Sequence, residues 1–341
     1  MEKRTSLIAF VHIPKTAGGT VINMLGRACS RAALHDAGNV LRDLDRSAKK
    51  VTRRPGGWER WERQGGRVTA GHLPYGLFRE HLPAETRYIT LLREPVDRVI
   101  SHYHGHLRPR GTAIDERRRA RGLPLAASVE EALERRLPDV TNLATRFLCG
   151  DPSPMGTLPP QALDDAKANL RKFAFVGIQE RFDESVVLLQ RTLGLGLVPY
   201  VNRHISIGRP GVEEIPDEQR KLIVEHNKLD AELFALAQTL FENAVAHASD
   251  GFAAAVEELR ALSEQADQAA METARNWLDR ELPLGTAKRK AALFDAADTA
   301  GVSLAALKRV AAQAALRAEP DHDGQMVWTR DSGRTAQRQA N

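Results

Sequence analysis

Cysteine is scarce, with two in 341 residues, Cys29 and Cys149. Two thiols make neither a metal framework nor a disulfide scaffold. A reduced, cytoplasmic setting is the expectation for such a chain. Long apolar runs are lacking too: SLIAFV (6–11) and YITLL (88–92) are too short to cross a bilayer. The opening MEKRTSLIAFVHIPK has basic residues and then an apolar run, but no small-residue cleavage site follows. His12 and Lys15 interrupt it, so it reads as a strand and not as a signal peptide. No repeat of fixed period is present. Nor does the chain carry the Gly-Lys-Ser/Thr that closes the phosphate loop of NTPases.

What is present is a soluble, globular composition, 42% hydrophobic and 27% charged, long enough for one large domain and a small one. The net charge of +5 and a pI near 9.3 favour anionic partners such as nucleotides, acidic glycans or nucleic acid. Strand-like segments at 6–13, 67–73, 87–95 and 173–179 alternate with helical ones near 20–29, 96–107, 129–136, 140–149, 159–173 and 183–195. That alternation predicts an α/β domain with a parallel sheet covered on both faces. The stretch 50–66 reads as loop, and the arginine-rich 108–121 as a mobile surface segment or lid. From Asp217 the pattern is helical, with Leu222, His226, Leu229, Leu233, Leu236 and Leu240 forming one stripe and His226 a core histidine. The expected organisation is a domain over 1–250, a helical linker over 251–271, a small module over 272–330 and a disordered tail over 331–341.

Two stretches carry chemistry. In FVHIPKTAGGT (10–20) a strand runs through a glycine turn into a helix start, which presents backbone N–H groups and a positive dipole end to one point. Gly18 and Gly19 permit close approach of an anion, Lys15 adds a charge, and Thr16 and Thr20 add hydroxyls. The plainer alternative is a tight turn with a surface lysine. In LLREPVDRVISHYH (91–104) Arg93 stands at a strand end, where ligands bind in open α/β sheets, and Ser101 lies two helical turns on. Together they suit a second phosphate; the alternative is a capped helix with solvated charges, Arg98 pairing with Glu94 or Asp97 at the surface.

Together HIPKTAGGT and LLREPVDRVISHY resemble the two donor-binding motifs of the sulfotransferases, in the branch of the heparan sulfate 2-O- and 6-O-sulfotransferases and their bacterial relatives (sulfotransferase family 2). GHLPYG (71–76), TNLATRFLCG (141–150), FVGIQERFDESVVLLQRTLG (175–194) and EHNKLDAELFALAQTLF (225–241) agree, so the resemblance covers about residues 6–245. It implies a P-loop-containing nucleotide hydrolase-like three-layer fold and the donor 3′-phosphoadenosine 5′-phosphosulfate. By this resemblance Lys15, Thr16, Ala17, Gly18, Gly19 and Thr20 hold the 5′-phosphosulfate, and Arg93 and Ser101 the 3′-phosphate. Relatives often carry a hydroxyl residue where this chain has Gly19; Thr20 keeps one. A sulfuryl donor has no γ-phosphate to bridge, so no metal is expected, and Lys15 stabilises the leaving 5′-phosphate. The acceptor is a hydroxyl, expected on a glycan or glycolipid. Its base is His72, which ends a strand on the same sheet edge, with His102, His104 and His106 as competitors. Tyr75, Asn142 and Arg146 are candidate acceptor contacts, and Arg209–Pro210 a closure over the donor; each has a structural alternative.

The 272–330 segment lies outside the resemblance. In AADTAGVSLAALKRV (296–310) the spacing of Ala297, Gly301, Val302, Leu307 and Val310 is that of a helix-turn-helix, with Ser303 as cap and Lys308 and Arg309 facing outward. The expectation is a small all-α module, with GQMVWTR (324–330) as a candidate wing strand, that docks protein or contacts DNA. Two rival readings of the whole chain are an ATP-dependent, kinase-like enzyme, which would need magnesium, and a nucleotide-sensing DNA-binding protein.

Overall fold

The computed structural model describes residues 7–28, 68–109, 113–153, 155–201, 209–314, 316–322 and 325–330. Cys29, the expected loop 50–66 and the tail 331–341 lie outside them. The chain forms two compact units, Met1–Val198 with Ser206–Leu259, and Pro199–Ile205 with Arg260–Asn341.

The first unit is α/β. Its four strands, β1 (Ile8–Val11), β2 (Val68–Gly71), β3 (Arg87–Leu92) and β4 (Phe175–Ile178), form a parallel sheet in the order β2-β1-β3-β4. β2 is buried throughout and β3 from Tyr88 to Leu92, so successive side chains on both faces are covered. The Thr90 hydroxyl, fully buried, donates to the Val11 carbonyl (2.9 Å) and ties β3 to β1. The helices are α1 (Gly18–Ala28), α2 (Tyr75–His81), α3 (Pro95–His102), α4 (Ala113–Ala120), α5 (Val129–Glu134), α6 (Leu143–Leu148), α7 (Ala162–Leu170), α8 (Phe182–Thr192), α9 (Asp217–His226), α10 (Lys228–Ala246) and the first turns of α11 (Phe252–Glu281). A π-helical turn, Tyr103–Leu107, extends α3. The arginine-rich segment contains α4, in which Asp115 is buried.

The single stripe expected after Asp217 is broken at Asn227. α9 ends before it and α10 begins after it, and the buried face keeps the spacing of four and three but lies one residue on from the expected stripe. The buried face is Ile223, Asn227, Asp230, Leu233, Phe234, Ala237 and Phe241, whereas His226 is half-buried and not in the core. Polar caps hold the break. Asn227 accepts from the Asn142 N–H (2.8 Å) and donates to the Val140 and Ile223 carbonyls. Asn142, left-handed at φ 48°, accepts with its side-chain oxygen from the N–H groups of Leu229 and Asp230 at the start of α10. In return the buried Asp230 carboxylate accepts from the N–H groups of Ala144 and Thr145 and from the Thr145 hydroxyl, at the start of α6. The two helix starts thus satisfy each other's orphan donors.

The second unit is not all-α. The rest of α11, α12 (Lys290–Thr299) and α13 (Leu304–Gln313) accompany a three-stranded antiparallel sheet, order β5-β7-β6, of β5 (Ala287–Arg289), β6 (Arg317–Pro320) and β7 (Met326–Thr329). Exposed, charged β5 and β6 carry no apolar alternation, so the sequence signal for them is weak; the buried Trp328 of β7 supplies the packing. The core gathers Trp277, Leu278, Leu293, Ala297, Val302, Leu307 and Val310. Ser303 accepts from the Ala306 N–H at the start of α13. Arg309 does not face free solvent: it donates to both carboxylate oxygens of Asp267 at 2.7 Å. No helix among the described residues is long and apolar enough to cross a membrane.

Asp230→Ala, which leaves the Ala144 and Thr145 N–H groups without their acceptor, is expected to lower unfolding stability in urea by about 2–4 kcal/mol, and Asp230→Asn by less.

Candidate active site

The strand order puts four chain segments along one sheet edge: the loop after β1, His72 after β2, Arg93 after β3 and Glu180 after β4. Between β1 and β3 the sheet reverses its order of connection, and open α/β sheets bind ligands at such a point.

Past β1 the chain runs through Ile13 and Pro14 into a strained turn. Lys15 (φ 73°) and Ala17 (φ 61°) are both left-handed without being glycine. Each such residue costs about 1–2 kcal/mol, a strain that persists where the surroundings fix it and that clusters at functional sites. Left-handed residues at alternate positions turn successive N–H groups toward one side, which makes an anion nest. The nest leads into the start of α1, where the first N–H groups have no acceptor within the helix. Thr16 is fully buried and its hydroxyl donates to the Ile13 carbonyl (2.9 Å), so this hydroxyl holds the turn together.

The glycine expected to admit an anion has a different neighbour. A Cβ on Gly18 would lie 2.1 Å from the ring of His12. Gly18 is therefore required by the buried His12 ring, which stacks on Phe10 (centroids 5.3 Å apart) and meets the His72 ring at 4.1 Å. His12 and His72 are neighbours because β1 and β2 pair in register, Val11 opposite Gly71. His72 is exposed, and its Nδ1 lies 2.9 Å from the His12 carbonyl oxygen. A carbonyl only accepts, so Nδ1 carries the proton and Nε2 keeps its lone pair. This is the tautomer a general base needs.

Arg93 crosses from β3 to the loop. Its Nη1 donates to the Lys15 carbonyl (3.1 Å), and its Nε (2.8 Å) and Nη2 both donate to Asp97. Asp97 also pairs with Arg209 (2.7 Å), whose Nη1 donates in addition to the Asp97 carbonyl oxygen (3.1 Å). One carboxylate thus holds two arginines beside the Lys15 backbone. Among the described residues three of Arg93's five N–H groups are engaged, which leaves capacity for an oxyanion. Ser101 is buried in α3, one turn beyond Asp97 on the same face. Lys15 reaches over the π-helical turn: its Nζ lies 3.0 Å from where a Cβ of Gly105 would stand. Such turns are rare and frequent at functional sites.

Behind this edge lies a buried charged group. Arg98 is 1% exposed and donates to the Asp139 carbonyl (2.9 Å); it is not the surface partner of Glu94 or Asp97. Glu94 instead caps α3, accepting from the Val96 and Asp97 N–H groups, and its own N–H donates to Glu180. Burial holds His102 well below the usual imidazole range, and Arg98, His106 and Lys15 lower it further. His102 is thus neutral near pH 7 and too buried to meet an acceptor. His104 is lowered by burial, then by Arg108 and Arg209. Burial raises the Asp139 carboxyl, opposed by the charges of Arg98 and Arg118.

No protein-family model matches the chain. The chain is 23% identical over 209 residues to heparan sulfate 2-O-sulfotransferase 1 of Mus musculus, and equally to the proteins of that name in Homo sapiens and Cricetulus griseus. The likeness is to a sulfotransferase. The match covers 56% of this chain and 56% of each relative, so the chain spans about half the length of the curated relatives it matches.

Of the residues singled out from the sequence, the loop 15–20, His72 and Arg93 meet at one sheet edge. The candidate acceptor contacts Tyr75, Asn142 and Arg146 each make contacts within the fold. Tyr75 is buried in an aromatic cluster with Tyr88 and Phe173, with Arg79 over its ring; burial and the Tyr75 neighbour push the Tyr88 hydroxyl up to about 12. Asn142 caps α10, and Arg146 donates from Nε to the Thr141 carbonyl (3.0 Å). Sequence reading missed His12, Asp97 and Asp139. Only Asp97 left a signal, its spacing of four from Arg93.

Gly18→Ala is expected to cost about 1–3 kcal/mol in urea unfolding, and adding His12→Ala to recover part of that loss. His102 also generates an acid sensitivity. Its folded value is depressed, so its contribution is complete above the unfolded value of 6.5 and is lost as pH falls through and below it. Between about pH 7.5 and 5.5 the wild type should lose stability faster than His102→Gln, by at most about 1.4 kcal/mol per pH unit.

Proposed function

We propose that the first unit transfers a sulfuryl group from 3′-phosphoadenosine 5′-phosphosulfate to a hydroxyl, on a carbohydrate acceptor. The observation that carries this reading is the junction of the strained Lys15–Ala17 turn with Arg93, Asp97 and Arg209, flanked by a base-competent His72. The likeness to heparan sulfate 2-O-sulfotransferases supports the reaction class and a glycan hydroxyl as acceptor.

The residues fit a donor with two separate anionic groups. The turn 15–20 offers backbone N–H groups, the Lys15 ammonium and the start of α1 to the 5′-phosphosulfate. Arg93, with Ser101 one turn beyond Asp97, suits the 3′-phosphate, and Arg209, fixed by the same Asp97, stands beside it. The acceptor oxygen forms a bond to sulfur as the bond from sulfur to the 5′-phosphate oxygen breaks. His72 Nε2 takes the hydroxyl proton, and the developing imidazolium keeps its Nδ1–H on the His12 carbonyl. Lys15 and the turn's N–H groups stabilise the charge that grows on the departing phosphate. These groups supply the neutralisation that magnesium supplies to a γ-phosphate, so the reading requires no divalent cation.

We assign this chemistry to the unit ending near residue 259 and read the second unit as a winged-helix-like docking module, with α12 and α13 as the helix pair and β6–β7 as the wing. Its ion pairs favour protein over DNA as partner: Arg309 pairs with Asp267, Arg330 with Asp279 and Arg289 with Asp321, so cations are offset within the unit.

Saturating 3′-phosphoadenosine 5′-phosphate should raise the melting temperature, by an amount equivalent to about 2.7 kcal/mol at a hundredfold excess over Kd. Lys15→Ala should reduce that shift and abolish transfer. His72→Ala should keep the shift and lose turnover by roughly 10²–10⁴-fold. A melting temperature unmoved by the nucleotide contradicts the donor assignment; full turnover in His72→Ala moves the base elsewhere.

A further inference from the structure

A cavity shares no lining residue with the sheet edge. Its volume is about 670 Å³, and it is lined by Arg136, Asn142, Arg146, Glu225, His226 and Lys228, among others. None of its lining residues belongs to the loop after β1, the end of β2 or α3. Its walls come from the ends of α5, α6, α9 and α10 and from residues 155–158. Its size is that of ordinary small-molecule sites.

We propose that this cavity binds a compact polyanion, no larger than one or two sugar rings, through sulfate, phosphate or carboxylate groups. Three lines carry the inference. The first is charge: Arg136, Arg146 and Lys228, with His226, face a single lining carboxylate, Glu225. The second is strain. Among the described residues, positive φ outside glycine occurs at Lys15, Ala17, Arg136 and Asn142. Two of these form the anion nest, and the other two line this cavity. Arg136 (φ 49°) ends α5 with its N–H on the Leu133 carbonyl (2.8 Å), the helix-terminal position at which glycine is the default. A long cation there carries a backbone cost that glycine would not, and the surroundings must offset it. The third is the placement of Lys228, the first residue of α10. Lys228 is exposed, so its ammonium is available to a ligand in the cavity.

Arg146 completes the wall. It is buried, with Nε on the Thr141 carbonyl and Nη1 on the Gly156 carbonyl (2.5 Å), so its guanidinium is held in one orientation. Burial lowers its pKa, the charge of Asp230 opposes that, and an anion in the cavity would oppose it further. Exposed Met155 and half-buried Leu158 and Leu229 add an apolar side that suits a sugar face over a bare ion.

The test is calorimetric titration of the full chain with sodium sulfate, sodium phosphate, glucose 6-sulfate and glucuronate. It compares wild type with Arg136→Gly/Lys228→Gln. The glycine relieves the left-handed strain and Lys228 is exposed, so the variant should melt no lower than wild type. Binding of at least one probe, weakened about tenfold or more in the variant with 3′-phosphoadenosine 5′-phosphate binding unchanged, is the expected result. Preference for the sugar acids over the inorganic ions identifies a saccharide site, and equal affinity an anion site; either supports the proposal. Absence of binding by every probe at millimolar concentration, or equal binding by wild type and variant, overturns it. So does loss of nucleotide binding in the variant, which would merge the cavity with the sheet edge. Because the probes are not the nucleotide, failure here leaves the donor reading standing.

Discussion

Asp97 is the fastening on which the candidate site depends. Its carboxylate takes Arg93 from four residues before it and Arg209 from far along the chain, while Arg93 reaches on to the Lys15 carbonyl. The turn after β1, the end of β3 and the segment at 209 are thus joined through one acid. Two arginines on one carboxylate bring two guanidiniums to the turn after β1. Asp97 is itself positioned by Glu94, which caps α3 and holds the Asp97 N–H. A neutral residue at 97 would leave the two guanidiniums to repel each other across the donor loop.

The sheet supplies the other half of the geometry. Parallel pairing of β1 with β2 in the register Val11–Gly71 sets His12 beside His72, and the His12 carbonyl fixes the His72 tautomer. His12 therefore acts twice, through its carbonyl on His72 and through its ring on Gly18 at the start of α1. His72 and the turn after β1 are consequently coupled through one buried residue. Lys15, His102, Arg98 and Asp139 lie in a connected electrostatic field behind them, in which burial keeps His102 neutral.

The local part of this arrangement was legible in the sequence. The strand–turn–helix at 10–20, the strand end at Arg93 and the histidine after β2 all follow from short apolar runs and the residues that stop them. What was not legible depends on contacts between distant segments. Arg98 looked like a surface charge because a helix carries alternating charges; its burial follows from Asp139, forty-one residues on. Tyr75 packs against Tyr88 and Phe173, a cluster of rings far apart in sequence that no local pattern announces. The leucine stripe after Asp217 ignored Asn227, a polar residue whose burial is made favourable only by Val140, Ile223 and Asn142. In the second unit, β5 and β6 lack the alternation that marks a strand, so an all-α expectation gave way to a small sheet built on Trp328.

The most direct measurement of the central claim is transfer of labelled sulfate from 3′-phosphoadenosine 5′-phosphosulfate to a panel of glycans and glycolipids, with chelator present. The account predicts label in at least one hydroxylated acceptor, with release of an equal amount of 3′-phosphoadenosine 5′-phosphate. Absence of label from every acceptor, or transfer that depends on added magnesium, would contradict it.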